Sequence, residues 1–109
     1  MSAGALGDSK EIVDQAKTAF VVGVTKPEQV EEFFKIHALQ YTYVTREADS
    51  KRSPNFQWSS ETASGYYVTV VPRVRTKWTL LSYENVKIYI EIDRETVSKV
   101  VFEKSYTGL

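Results

Sequence analysis

Few residues in this chain have the side chains and spacing for chemistry. His37 is the only histidine and there is no cysteine, so a His/Cys metal site would lack its other ligands. A catalytic base would also need a nucleophile and an orienting group. His37 stands at the predicted end of a helix, where a cation suits the negative end of the helix dipole. We therefore expect a structural role for this histidine.

Two carboxylates, Glu91 and Asp93, share one face of a predicted strand, as a pair of catalytic acids could. Glycosidase-type acid and base catalysis needs two carboxylates in a cleft with different environments. Here Lys77 and Arg75 are expected opposite them on the neighbouring strand, which predicts a solvated, salt-paired face. With no P-loop, no dinucleotide-binding glycine motif and no nucleophile elbow in the sequence, we expect neither an enzyme nor a bound cofactor or metal.

A basic run near the middle of the chain gives the alternative function. Arg73, Arg75 and Lys77 alternate along the sequence. Basic groups among aromatic rings can hold single-stranded nucleic acid by stacking, and the nearby rings are those of Tyr66, Tyr67 and Trp78. Against this, the 14 basic and 14 acidic residues cancel, so no global field attracts a polyanion. A cytoplasmic or phage single-stranded nucleic-acid-binding domain remains the second hypothesis.

Aromatic residues make up 13% of the chain and suggest a protein-binding surface, because Tyr and Trp are favoured at interfaces. Phe56, Trp58, Tyr66 and Tyr67 are the predicted partner-binding residues. The competing interpretation is that Phe56 and Trp58 fold a long polar loop back onto the core. Alanine at Trp58 or Tyr67 separates the two: a contact residue loses partner capture, whereas a core residue loses folding.

The length and composition predict one small domain. With 109 residues, 42% of them hydrophobic and 26% charged, the chain can bury a core without disulfides. No apolar run is long enough to span a membrane. Residues 1–8 are predicted to be a flexible tail and residues 9–109 a single domain. Met1–Gly7 lacks the basic start and apolar centre of a signal peptide.

The patterns place two helices before a run of strands. Ile12, Val13 and Ala16 recur at helical spacing, which predicts a helix from Ser9 to Phe20. The stretch Thr25-Lys26-Pro27-Glu28 predicts the start of a second helix, with Thr25 as its cap, Pro27 in its first turn and Glu28 returning a bond to Thr25, and this helix is predicted to end near His37.

Strands are predicted for Leu39–Thr45 and Tyr66–Val71, separated by a long loop from Arg46 to Ser64. Pro72 should break or bulge the second of these strands before a three-stranded meander over Arg73–Tyr106. The fold class is therefore α+β, with two N-terminal helices packed on a three- to four-stranded antiparallel sheet.

The register of the meander is predicted from charge. Val86, Ile88, Ile90 and Ile92 alternate with polar residues, so they should form one buried face. On one side, Trp78 facing Ile90 places Lys77 opposite Glu91 and Arg75 opposite Asp93, with Tyr83–Asn85 as a three-residue hairpin loop. On the other side, Val100 facing Ile90 places Lys99 opposite Glu91 and Glu103 opposite Lys87.

Two segments carry a family resemblance. The stretch Gly23-Val24-Thr25-Lys26-Pro27-Glu28-Gln29-Val30 resembles the G-x-T-x-x-x-V start of the second helix in SmpA/OmlA-like (BamE-like) envelope lipoproteins. Residues 86–93 with 96–101 resemble that family's final hairpin. The shared layout is two short helices on an antiparallel sheet, which also occurs in beta-lactamase-inhibitor-protein-like domains.

The resemblance implies a non-catalytic scaffold of the bacterial envelope that binds other envelope proteins. It implies a place in the periplasm at the outer membrane if a leader and lipid anchor precede these residues in the gene, and the cytoplasm otherwise. A third hypothesis, a small-ligand-binding domain of the cystatin or NTF-like kind, would need an apolar cavity between helix and sheet. The oligomeric state is not predicted by any of these patterns.

Overall fold

A computed structural model of the chain describes residues 9–50, 56–74 and 83–107. It is an α+β fold, as predicted, in which two N-terminal helices precede a four-stranded antiparallel sheet. The helices are α1 (Ser9–Ala19), α2 (Pro27–Ile36) and the single turn α3 (Arg46–Ser50). The strands are β1 (Tyr41–Thr45), β2 (Gly65–Val74), β3 (Tyr83–Asp93) and β4 (Thr96–Thr107), and they lie side by side in chain order. The predicted tail, residues 1–8, lies outside the described residues.

Both predicted helices are confirmed, but the start of α2 differs in detail. Lys26, not Thr25, is the N-cap residue, and the backbone N–H of Lys26 donates to Oε1 of Gln29 at 2.9 Å. Thr25 has a different role, described below, and the predicted bond from Glu28 to Thr25 is replaced by the one from Gln29. Pro27 stands in the first turn, where its missing N–H costs no helical hydrogen bond.

The register between β3 and β4 is confirmed. Ile90 lies opposite Val100, Glu91 opposite Lys99 and Lys87 opposite Glu103. A bulge follows, because Ile92 pairs with Val97 and Ser98 is therefore the extra residue on β4.

The other side of β3 corrects the prediction. The strand beside Val86–Ile92 is 65–71, so Tyr66 and not Lys77 lies opposite Glu91, and Tyr67 lies opposite Ile90. Tyr83–Asn85 belongs to β3 and is not a hairpin loop. The uncharged residues 65–71 occupy the position beside Val86–Ile92 because burial of their apolar side chains stabilises the sheet more than cross-strand charge pairs do. Each such pair contributes only about 0.2–1 kcal/mol. Residues 75–82, which include Arg75, Lys77 and Trp78, lie outside the described part.

Pro72 produces the predicted irregularity in β2. Val71 pairs with Val86, but Val74 pairs with Glu84, so the register shifts across Pro72. Proline cannot donate to the ladder, and a bulge accommodates it without an unpaired donor in the sheet.

The two faces of the sheet bury two separate cores. The helices cover one face, where α1 and α2 pack against the inward side chains of β2 and β3; this first core contains Ile12, Val13, Ala16, Phe20, Val30, Phe34, Tyr67, Val71, Val86, Ile88, Ile90, Ile92 and Val97. On the other face Val44, Phe56 and Tyr66 form the second core under the segment that connects β1 to β2. Because side chains fill the layer between helices and sheet, the fold favours a packed core over the ligand-binding hypothesis.

Candidate functional site

His37 is the C-cap residue of α2, in agreement with its predicted place at the helix end. Its ring lies 4.4 Å from that of Phe33, and its Nδ1 atom has no hydrogen-bond partner among the described residues. In the same part of the chain, no three His, Cys, Asp or Glu side chains are grouped so that they could hold a metal ion. The histidine therefore packs as an aromatic ring at the helix end.

Glu91 is not on a solvated, salt-paired face, which corrects the prediction from sequence. Its side chain is fully buried. One carboxylate oxygen accepts hydrogen bonds from the hydroxyls of Ser59 and Ser98, both at 2.5 Å, and the other accepts from the backbone N–H of Ser59 at 2.8 Å. A buried carboxylate is costly unless donors surround it, and these three bonds meet that need while fixing the 56–64 segment to the sheet.

Asp93 repeats this arrangement nearer the surface. Its two oxygens accept hydrogen bonds from the hydroxyls of Ser60 at 2.6 Å and Thr62 at 2.7 Å. These hydrogen bonds favour the ionised form and lower the pKa of Asp93 below its ordinary value. The two strand carboxylates thus act as anchors for the connecting segment.

Three of the four predicted partner-binding residues come together, but inside the second core. The Phe56 and Tyr66 rings stack at 4.4 Å, and Trp58 lies 5.1 Å from Phe56. Asp49 joins them, since it accepts hydrogen bonds from the Trp58 indole at 3.2 Å and the Tyr66 hydroxyl at 3.0 Å. Phe56 and Tyr66 are buried, so these residues fold the loop onto the sheet, which was the competing interpretation.

Tyr67 lies on the opposite face of the sheet from Tyr66, in the first core. Its ring is buried beside Phe34, and its hydroxyl donates to a carboxylate oxygen of Glu31 on α2. Burial, together with the neighbouring Glu31, raises the pKa of Tyr67 above its ordinary value. The structure therefore does not place the four predicted contact residues on one surface.

The nucleic-acid hypothesis has little support in the described residues. The backbone of Arg73 belongs to β2, one residue after the Pro72 irregularity. Arg75 and Lys77 lie outside the described part of the chain, so the basic stripe stays a prediction.

An exposed apolar surface occurs where the sequence analysis did not place one, at the corner between α1 and α2. Val21, Val22, Val24 and Ile36 are between 46% and 66% exposed. We call these four residues, with the half-buried Phe33, the helical corner. Connecting segments are usually polar, so the apolar run Val21-Val22-Gly23-Val24 is the sequence feature that could have indicated this exposed surface.

The turn that exposes the valines is held rigidly. The Thr25 hydroxyl accepts a hydrogen bond from the Val21 N–H at 2.8 Å and donates to the Ala19 carbonyl at 3.0 Å. Gly23 has a φ of +80°, which glycine adopts without strain. Its N–H donates to the Val97 carbonyl at 2.7 Å, and the Val97 N–H donates to the Thr25 carbonyl at 2.8 Å. These bonds fix the turn to β4 with its valine side chains at the surface.

A groove of about 520 Å³ runs from this turn along α2. Its apolar wall comes from Ala19, Phe20, Phe33 and Ile36. Phe20 and Phe33 meet edge to face at 5.0 Å, which gives the groove a firm floor. A second, more polar cavity of about 720 Å³ lies at the sheet edge beside Gln40, Thr69 and the exposed Val70, and no residue of the helical corner lines it. We favour the α2 groove because its walls are more apolar and an exposed apolar turn lies at its end.

The groove also carries acidic groups. Glu28 and Glu32 line it one helical turn apart, and both are exposed. Within residues 9–50, 56–74 and 83–107, neither carboxylate has a hydrogen bond or an ion pair. Repulsion between like charges at this spacing costs about 0.2–0.5 kcal/mol, while Glu28 also stands in the first turn, where the helix dipole favours a carboxylate. Among the described residues, the site thus combines an apolar floor with a negative rim.

Comparisons of the chain with protein-family models, with curated proteins and with solved structures find no match in any of the three. No helix among the described residues is both long and apolar enough to cross a membrane.

Proposed function

We propose that this chain is a non-catalytic protein–protein interaction module that binds its partner through the helical corner. The proposal rests on the run of exposed valines, which stand on a turn held by the Thr25 hydroxyl and by backbone hydrogen bonds to Val97 of β4. Exposing apolar side chains to water is unfavourable, and a rigid apolar surface at the end of an apolar groove is typical of a binding site. Binding would bury the valines and Ile36 without any rearrangement of the fold.

We also propose a place in the bacterial envelope, with other envelope proteins as partners. The support for this is the resemblance of residues 23–30 and 86–101 to BamE-like lipoproteins, stated above. The codons that precede Ser2 in the native gene test it: a signal peptide ending in a lipobox cysteine supports an envelope protein. A native start at Met1 with no leader contradicts that location and favours the cytoplasmic hypotheses.

Site-specific photo-cross-linking in cells tests the interaction itself. A photo-reactive phenylalanine analogue placed at Val22 or Ile36 should give a discrete cross-linked product, because both positions would face the partner. The same analogue at Gln57 or Lys104, exposed positions elsewhere on the molecule, should not give that product. Equal products from all four positions, or none from the helical corner, would contradict the proposal.

A further inference from the structure

The α2 groove indicates what kind of partner would bind there, through its shape, its lining residues and its charge. We infer that the α2 groove binds a basic amphipathic helix, an inference that rests on the proposed function. Five residues that line the groove lie on one side of α2 and form a single stripe along it: Glu28, Gln29, Glu32, Phe33 and Ile36. From Glu28 to Ile36 this stripe rises about 12 Å, at roughly 1.5 Å per residue, which matches two turns of a partner helix.

A helical partner fits this site better than an extended one. The groove lies along α2 and meets α1 only at its last residue, Ala19, and the central backbone N–H and C=O groups of both helices are already bonded within each helix. No sheet residue lines it, so a strand laid there would leave its own backbone groups without partners. A helix satisfies its backbone internally and can insert side chains at i, i+3 and i+7 against Phe20, Phe33 and Ile36.

The charge of the groove selects a basic partner. Glu28 and Glu32 have no cation of their own within the described residues, and they border the apolar floor. Lysine or arginine side chains flanking the apolar stripe of the partner would neutralise both carboxylates at the rim. The chain as a whole carries no net charge, so this preference is a local property of the groove.

The same charge argues against a second copy of this chain. A two-fold symmetric contact places the same surface patch on both sides of the interface. It would bring the Glu28 and Glu32 pair of one copy towards the same pair of the other, and like-charge juxtaposition is unfavourable.

Selection from a displayed library of helix-forming peptides tests the inference. The whole chain is the bait, and the peptides carry a fixed apolar i, i+3, i+7 stripe with randomised flanking positions. We expect enrichment of Lys and Arg at those flanking positions. Enrichment of acidic or neutral residues, of peptides that bind in an extended form, or of no sequence at all would overturn the inference.

Binding of one enriched peptide, followed by fluorescence anisotropy, provides the matched control. Glu28→Lys combined with Glu32→Lys should weaken binding about tenfold or more at physiological salt, because two attractions become repulsions. Glu61→Lys combined with Glu95→Lys changes the net charge equally at exposed positions outside the groove, and should leave the affinity within about twofold. Equal losses in the two variants would overturn a local site.

Two further results keep this inference separate from the proposed function. Ile36→Asp should abolish binding of the same peptide, since it places a charge on the apolar wall; unchanged binding would overturn the groove as the site. Concentration-dependent dimerisation of the chain that Ile36→Asp abolishes would replace the helix with a second copy. If the photo-reactive residue at Ile36 cross-links in cells while the selected peptides are not basic, the proposed interaction module is supported and the inference of a basic helical partner is wrong.

Discussion

The segment over the second core and the helical corner both present apolar side chains on connecting chain, and the fold treats them in opposite ways. In the first, Phe56 and Tyr66 are buried and carboxylates of β3 hold the segment down through Ser59, Ser60 and Thr62. In the second, the anchoring bonds involve Thr25, Gly23 and Val97, and the valines remain outside.

This difference shows that hydrophobicity alone does not tell core from binding surface. Hydrogen-bonded polar groups make the distinction, because they determine which side of a connecting segment faces the rest of the fold. The bonds from Ser59 to the buried Glu91 bring the aromatic residues of that loop inward, whereas the backbone bonds and the Thr25 hydroxyl that hold the turn leave its valine side chains at the surface. The substitutions below test the two regions separately.

The largest effect should come from Phe56→Ala. It removes the ring that stacks on Tyr66, and truncating a buried phenylalanine costs about 3–5 kcal/mol in the free energy of unfolding. Urea unfolding followed by circular dichroism measures this. Ile36→Ala is the matched control at the helical corner, and should change the same free energy by less than about 0.5 kcal/mol.

A smaller loss is expected for Glu91→Gln. The amide keeps the size of the side chain but carries no charge, and its NH2 group fits only towards the serine hydroxyls, which can accept, because the Ser59 N–H still needs an acceptor. Charge-assisted hydrogen bonds become neutral ones of about half the strength, which costs about 1–3 kcal/mol. Glu103→Gln, an exposed position on β4, controls for the change of charge. A free energy of unfolding equal to that of the control would show that the Glu91 bonds do not hold the loop.

Acid should weaken the same segment. The pKa of Asp93 is lowered in the folded protein, so its stabilising contribution is present above its ordinary value of 3.8 and is lost as pH falls from there through the folded-state pKa. Asp93→Asn removes the titrating group. We therefore expect the difference in stability between the native chain and this variant to shrink below about pH 4. A difference that is constant from pH 7 to pH 3 would contradict the anchoring role.

A small gain is expected at the end of α2. Ala38 has a φ of +55°, and the Leu39 N–H donates to the Phe34 carbonyl at 2.8 Å, which is the geometry that usually carries glycine after a helix. Ala38→Gly should raise the free energy of unfolding by about 0.5–1 kcal/mol, since glycine adopts this conformation without strain. Thermal unfolding measures it, and a loss of stability would show that the αL conformation at Ala38 carries no strain that glycine relieves.

The success and failure of the sequence predictions have a common physical origin. The β3–β4 register followed from alternation and charge because Lys99 and Glu103 lie on an edge strand that carries charged residues. The neighbour on the other side is a central strand, where Tyr66, Val68 and Val70 carry no charge, and charge pairing could not identify it. Lys77 and Arg75 offered plausible pairs, but weak surface pairs do not decide which strand is buried.

The candidate site was harder to predict than the fold. The frequency of aromatic residues at interfaces predicts contact roles for Trp58 and Tyr67, yet Tyr67 lies in the first core and Trp58 packs against the second. The exposed valines follow from the bond between Gly23 and Val97, residues 74 positions apart, which no local pattern contains. Glu91 likewise meets Ser59 and Ser98 only after the loop has folded onto the sheet.

If the helical corner binds a partner while the loop aromatics belong to the core, a charge at the corner should remove binding and leave the fold intact. The measurement is made on Ile36→Asp in a chain that carries the photo-reactive residue at Val22, assayed for both the free energy of unfolding and the cross-linked product. We expect loss of the product and a free energy of unfolding within about 1 kcal/mol of the parent, because Ile36 is exposed and an acid in the last turn opposes the helix dipole only weakly. A product that persists undiminished in a folded Ile36→Asp chain would contradict binding at the helical corner.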